Sequence, residues 1–163
     1  LDQKEIKLLE NIIDYRKLKL NTNLTYKNKT NLIMSKKEKK KEKELKIKWL
    51  EIPEEHDYPA AESYLGLIYS DTKVKSLVKE LENAEMTSFK AKDIFRASKL
   101  SLLGVSNSHV EKNLQKIMSG KKMSPLLLVR DKETSTVIVA DGYHRLCSVY
   151  TISEDIDIPC KIV

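Results

Sequence analysis

The residues best suited to chemistry lie in one short run, Asp141-Gly-Tyr-His-Arg145. The β-branched residues Val137, Ile138 and Val139 before it predict a strand, and the stretch from Tyr143 predicts a helix. His144 and Arg145 then fall in the first helical turn. There the backbone N–H groups have no acceptor within the helix, and the helix dipole is positive. Gly142 lets the backbone approach a ligand closely. Arg145 offers a planar fork that matches phosphate oxygens, and His144 adds a second donor. This pattern reads as an anion site, with phosphate the best fit. Two plainer readings stand beside it. One is a solvated Asp-Gly turn; the other is an Arg145 that pairs with a carboxylate inside the fold.

Asp141 is the candidate for holding a magnesium ion or for general-base work; its other role would be to cap the helix. Phosphoryl transfer also needs a group that positions the attacking oxygen, for which Asp93 and Glu111 are the candidates. His109 follows the cap signal Ser106-Asn-Ser108, so it falls at a helix start, where it can meet phosphate or face solvent. Lys112 is a weaker candidate on the same helix. His56 and Asp57 share a two-proline loop, where they could assist catalysis, bind a metal, or cap the next helix. Cys147 and Cys160 belong to no C-x-x-C pair and read as buried free thiols, which fits a reducing, cytoplasmic setting.

These residues need a scaffold. Short apolar runs joined by a charged turn predict paired strands at about 125–130 and 136–140. Helices are expected over 110–118, from Tyr143 onward, near Ala60 (Ala61, Tyr64, Leu65, Ile68), and after Ser70-Asp71 (Val74, Leu77, Val78, Leu81). The class is α/β (α+β), a small mixed sheet with packed helices and an N-terminal helical extension. Three regions are expected: a leader at 1–48, the helical extension at 49–88 and the sheet domain at 89–163.

Charge is unevenly spread. The chain has a net charge of +6 over 163 residues. Residues 1–33 carry seven basic and four acidic side chains, and residues 34–48 carry eight lysines and three glutamates. The remaining 115 residues therefore sum to −2. A domain that binds nucleic acid normally carries its charge on the fold, so the globular part argues against that partner, while the Lys-rich leader leaves it open. A protein partner is also left open. No run approaches the roughly 20 apolar residues of a membrane span. Met34 followed by Ser35-Lys-Lys-Glu looks like a natural start, so residues 1–33 are expected to be translated upstream sequence and to carry no chemistry.

From about residue 89 to 163 the chain resembles the ParB N-terminal / sulfiredoxin-like superfamily. The resemblance is carried by Phe89-Lys-Ala-Lys-Asp-Ile94, the helix 110–118, Ser124-Pro-Leu-Leu-Leu-Val-Arg130, the Asp-Gly-Tyr-His-Arg turn with its flanking strand and helix, and Ile158-Pro-Cys-Lys-Ile-Val163. The resemblance implies strands at about 89–94 and 158–163, and that Gly142, Tyr143, His144 and Arg145 form a nucleotide-phosphate turn. It also implies that the helix bearing His109 approaches the nucleotide, which would be ATP, ADP or CTP, with Mg2+ where phosphate is transferred. Members include DNA-partitioning clamps, a sulfinic acid reductase and small-molecule kinases. Tyr143 stands where the reductases carry their catalytic cysteine, which puts reductase chemistry in doubt. The clamps have Gly-Glu-Arg-Arg where this chain has Gly142-Tyr-His-Arg145, and no helix-turn-helix domain follows in this sequence. The expected function is nucleotide binding, with phosphotransfer or NTP hydrolysis, a non-catalytic nucleotide-sensing module, or a DNA-associated or nuclease role as the alternatives.

The lysine density of residues 1–48 leaves too little apolar surface to offset the entropy of ordering them. Deleting residues 1–33 should leave the melting temperature nearly unchanged; a large drop in a thermal melt would place that segment in the fold.

Overall fold

The structure, a computed structural model, describes residues 46–163 together with Glu10 and Asp14. The expectations for the rest of the leader lie outside the described residues. In the compact unit Ile47–Val163 the elements run α1 Asp57–Leu65, α2 Asp71–Asn83, β1 Met86–Lys90, α3 Ala91–Ser98, α4 Ser108–Met118, β2 Leu126–Asp131, β3 Thr136–Asp141, α5 Tyr143–Ile152 and β4 Asp157–Ile162. These helices pack on a four-stranded mixed sheet of order β1-β4-β2-β3. β2 runs antiparallel to β3 and parallel to β4, and β4 is antiparallel to β1. The class is therefore α/β (α+β), as the alternation of apolar runs predicts. Among the described residues no helix is long and apolar enough to cross a membrane.

The β2–β3 hairpin forms because two apolar runs flank a charged turn. Asp131 closes that turn, accepting from the Glu133 amide at 3.1 Å and from Thr134 Oγ1 at 2.5 Å. Successive side chains of a strand point to opposite faces, so β2 feeds two cores. Leu127 and Val129 join Ala61 and Leu65 of α1, Val74, Leu77 and Leu81 of α2, and Ala140 of β3 in one buried cluster. Leu126 and Leu128 point the other way and are equally buried, as are Val110 and Leu114 of α4 and Leu146 and Val149 of α5. Cys147 and Cys160 are both buried and unbridged, and burial pushes the Cys160 thiol up to about 11.

Two boundaries differ from the sequence reading. The first strand is Met86–Lys90, not 89–94, and Ala91 already opens α3. The reason lies in the partners. The Ala91 and Lys92 amides donate to Ile156 O and Glu154 O at 3.0 Å, and Ala91 and Ile94 are buried at helical spacing. The sheet therefore starts within the segment assigned to the helical extension. At the other end, Met123 bonds the backbone of Lys48 and Leu50, each at 2.8 Å, so the last leader residues join the fold. The first helix ends at Leu65, with Gly66 as its C-cap. Ala61 and Leu65 are buried, but Tyr64 and Ile68, expected on the same apolar face, are exposed.

α1 is consequently part of the core. Leu65→Ala removes a fully buried side chain from the cluster that holds α1 against β2 and β3, and should cost about 2–5 kcal/mol. Urea unfolding measures this; a loss under about 1 kcal/mol would show that α1 is only loosely attached.

Candidate functional site

The end of β3 and the start of α5 bring the predicted turn together as a real feature. Asp141 is the last residue of the strand and Gly142 is the N-cap of α5, with φ at 100°. Only glycine suits this position. A Cβ there would lie 2.2 Å from Leu126 Cδ2, and the space beside it holds the Arg145 guanidinium. Gly142 has no side chain, and no side-chain hydrogen bond caps the start of α5.

Arg145 turns inward. Its Nη2 donates to Asp141 Oδ2 at 2.5 Å and to Pro125 O at 3.2 Å, and its Nη1 donates to Asp57 Oδ1 at 3.3 Å. Its side chain is only 15% exposed, and that of Asp57 only 2%. Of the readings open for Arg145, the geometry is that of a pair with carboxylates inside the fold. The other oxygen of Asp57 accepts from the Glu54 amide at 3.1 Å and from Ser124 Oγ. Burial pushes the Asp141 carboxyl above the usual range; Arg145 opposes that shift and the Asp57 carboxylate adds to it.

Asp141, the candidate for magnesium or general-base work, gives its Oδ2 to the Arg145 guanidinium. The proposed acidic helpers are elsewhere. Asp93 faces Arg96, Glu111 accepts from Gln115, and neither lines the cleft. Glu54, His56 and Asp57 bring ligand atoms within 4.8 Å of one another. His56 Nε2, however, is 3.6 Å from the same Asp57 oxygen that faces Arg145, so a cation there would meet the guanidinium.

The cleft in front of α5 has a volume of about 590 Å3. Its walls include Asp141, Gly142, Tyr143, His144 and Arg145 from the predicted turn, and His109 and Lys112 from α4. Thus every residue named for the ligand borders one space. The two imidazoles face each other, with ring centroids 4.8 Å apart. Their approach is built in. Asn107 Oδ1 caps α4 by accepting from the amides of His109 and Val110, and Ser148 Oγ of α5 donates to Val110 O at 3.1 Å. Tyr143 OH donates to Ser101 O, which ties the segment after α3 to the rim. Burial and the neighbouring His109 hold His144 below the usual imidazole range, against the pull of Asp141.

Sequence reading did not anticipate Tyr64, Asn113 and Lys116, which also line the cleft, or Asp57 as the buried partner of Arg145. The spacing His109, Lys112, Asn113, Lys116 is i, i+3, i+4, i+7, a single helix face, and would have revealed Lys116. No comparable signal exists for Asp57, which lies 88 positions from Arg145.

No family model, curated protein or solved structure matches the chain. The fold and the cleft describe a small α/β (α+β) domain whose cleft is lined by the first residues of α5 and by His109, Lys112 and Lys116 of α4.

Removing one partner of a buried ion pair leaves the others uncompensated. Arg145→Ala should therefore destabilise the protein by about 3–5 kcal/mol. Arg145→Lys should recover part of this, because an ammonium keeps the charge but not the fork. Denaturant unfolding of both variants is the check, and an alanine variant of unchanged stability would contradict the internal role.

Proposed function

We propose that this domain binds the phosphate end of a nucleotide, as a nucleotide-binding module of the ParB/sulfiredoxin-like kind. One observation carries the reading. His109, His144, Lys112 and Lys116 converge from two helices on one cleft, and the lone carboxylate lining it, Asp141, already accepts from Arg145. Taken with the bare N-terminus of α5, this leaves a surplus of donors and positive charge in a concave site. The order of strand, glycine turn and helix agrees with the resemblance noted in the sequence. The volume suits a nucleotide-sized ligand, since such sites run to roughly 300–1,000 Å3.

Binding without turnover is favoured over phosphotransfer by the state of Asp141. A base must be free to take a proton from the attacking group, and this carboxylate is tied to a guanidinium at 2.5 Å. Calorimetric titration with ATP, ADP and CTP, paired with a phosphate-release assay, separates the two. Binding with no release is the expected result; steady release would favour an enzyme, and absence of any nucleotide binding would overturn the proposal.

The depressed His144 gives this site a pH signature. The ring is neutral when the cleft is empty at pH 7, and a bound anion favours its charged form, so binding takes up a proton. Affinity for sulfate, which does not itself titrate in this range, should rise as pH falls from about 8 toward 5 and level off below the free-state pKa of His144. His144→Gln should flatten that rise. The sign for stability of the empty protein is the reverse: a lowered imidazole pKa stabilises above about 6.5, and that contribution is lost as pH falls through the folded value.

A further inference from the structure

We infer that the cleft takes a linear oligophosphate of two or more phosphates laid along α4, rather than a single phosphate. This rests on the phosphate reading above and names the class of ligand the site selects. The observation is the helix face formed by His109, Lys112, Asn113 and Lys116, all of which line the cleft. His109 stands against His144 at the start of α5, so the face begins at the proposed phosphate end. From there it runs for seven residues, or about 10 Å along the helix axis. One phosphate held between the imidazoles and the α5 amides cannot also reach Lys116, two turns away. A chain of phosphates can meet His109, then Lys112, then Lys116 in succession.

The rest of α4 is arranged to leave this face cationic. Val110, Leu114 and Ile117 turn to the core. Glu111 lies on the far side, where it accepts from Gln115 at 2.7 Å. Among the described residues, neither Lys112 nor Lys116 has a carboxylate partner, whereas Lys92 has Asp155 and Lys90 has Asp157. Ala60, Leu100, Val139 and Ala140, which also line the cleft, carry no charge, and the carboxylate of Asp141 is paired with Arg145. A solvated lysine face is the ordinary alternative, and it makes a different prediction for ligand length.

The test is calorimetric titration of the full chain with orthophosphate, pyrophosphate and tripolyphosphate. Ionic strength is held fixed because exposed charges are screened over about 8–10 Å. Divalent cations are left out. Tripolyphosphate is expected to bind at least tenfold tighter than orthophosphate. Lys116→Ala should remove most of that gain, lowering tripolyphosphate affinity at least several-fold more than orthophosphate affinity, and Lys112→Ala should lower the affinity for pyrophosphate as well. Lys75→Ala, on the exposed side of α2, is the control for general attraction of a polyanion and should leave the gain intact. Thermal melts confirm that each variant is folded. Equal affinity for the three anions overturns the inference, as does a gain that survives both α4 variants or falls equally with Lys75→Ala. In those cases orthophosphate binding that depends on His144 would leave the phosphate site itself standing. If none of the anions and no nucleotide binds, both readings fall together.

Discussion

The structure around the cleft depends on one buried charge network, in which Arg145 is shared between Asp57 and Asp141. A guanidinium this far from water must be neutralised, and so must a carboxylate that is almost wholly buried. The network answers both demands at once and in doing so fixes three elements. Asp57 opens α1, Asp141 ends β3, and Arg145 sits in the first turn of α5. Ser124 and the Glu54 amide complete the Asp57 carboxylate and tie in the segments before β2 and α1. Apolar packing alone would hold α1 on the sheet, but without specifying its rotation about its own axis. Asp57 adds a fixed polar contact at the start of α1 to the apolar contacts of Ala61 and Leu65.

Gly142 is what allows the guanidinium to fold back. Its missing side chain leaves the space taken by Leu126 on one side and by Arg145 on the other. Arg145 Nε faces this gap, buried and without a hydrogen-bond partner. The same glycine, at positive φ, carries the chain from β3 into α5, whose first residues line the cleft. Turn geometry and arginine placement therefore both depend on one residue that lacks a Cβ.

The fold was legible in the sequence where local pattern and tertiary environment agree. Leu126 to Val129 and Val137 to Ala140 are apolar runs around a charged turn, and they pair as read. Asn107 stands within a cap signal and does cap α4. The first strand, which the resemblance implies at 89–94, lies at Met86–Lys90 instead, because tertiary amide bonds to Glu154 and Ile156 accompany a helix from Ala91 that no local pattern announces. The site was legible as a set of residues but not as a set of roles. Spacing places Arg145 in a first turn and says nothing of whether its fork faces outward. That depends on Asp57, which the sequence presents as one more polar residue in a loop and which the fold buries almost completely.

Once Arg145 is committed inward, the charges around the cleft divide by chemistry. The guanidinium, always protonated and suited to two-point contact, serves a permanent internal pair. The groups left facing the cleft are imidazoles and ammonium groups. Imidazoles can change charge with the ligand, and ammonium groups on flexible stems adjust to oxygens at varied positions. A carboxylate at the cleft floor would ordinarily repel an anion, but Arg145 offsets Asp141 and leaves the lining net positive. The internal salt bridge thus also pairs the carboxylate on the cleft lining, which is what the proposed phosphate site would require. Any substitution that frees Asp141 from Arg145 acts on both the charge of the lining and the fold, because it leaves a carboxylate unpaired beside the cleft as it loosens the joint between α1, β3 and α5.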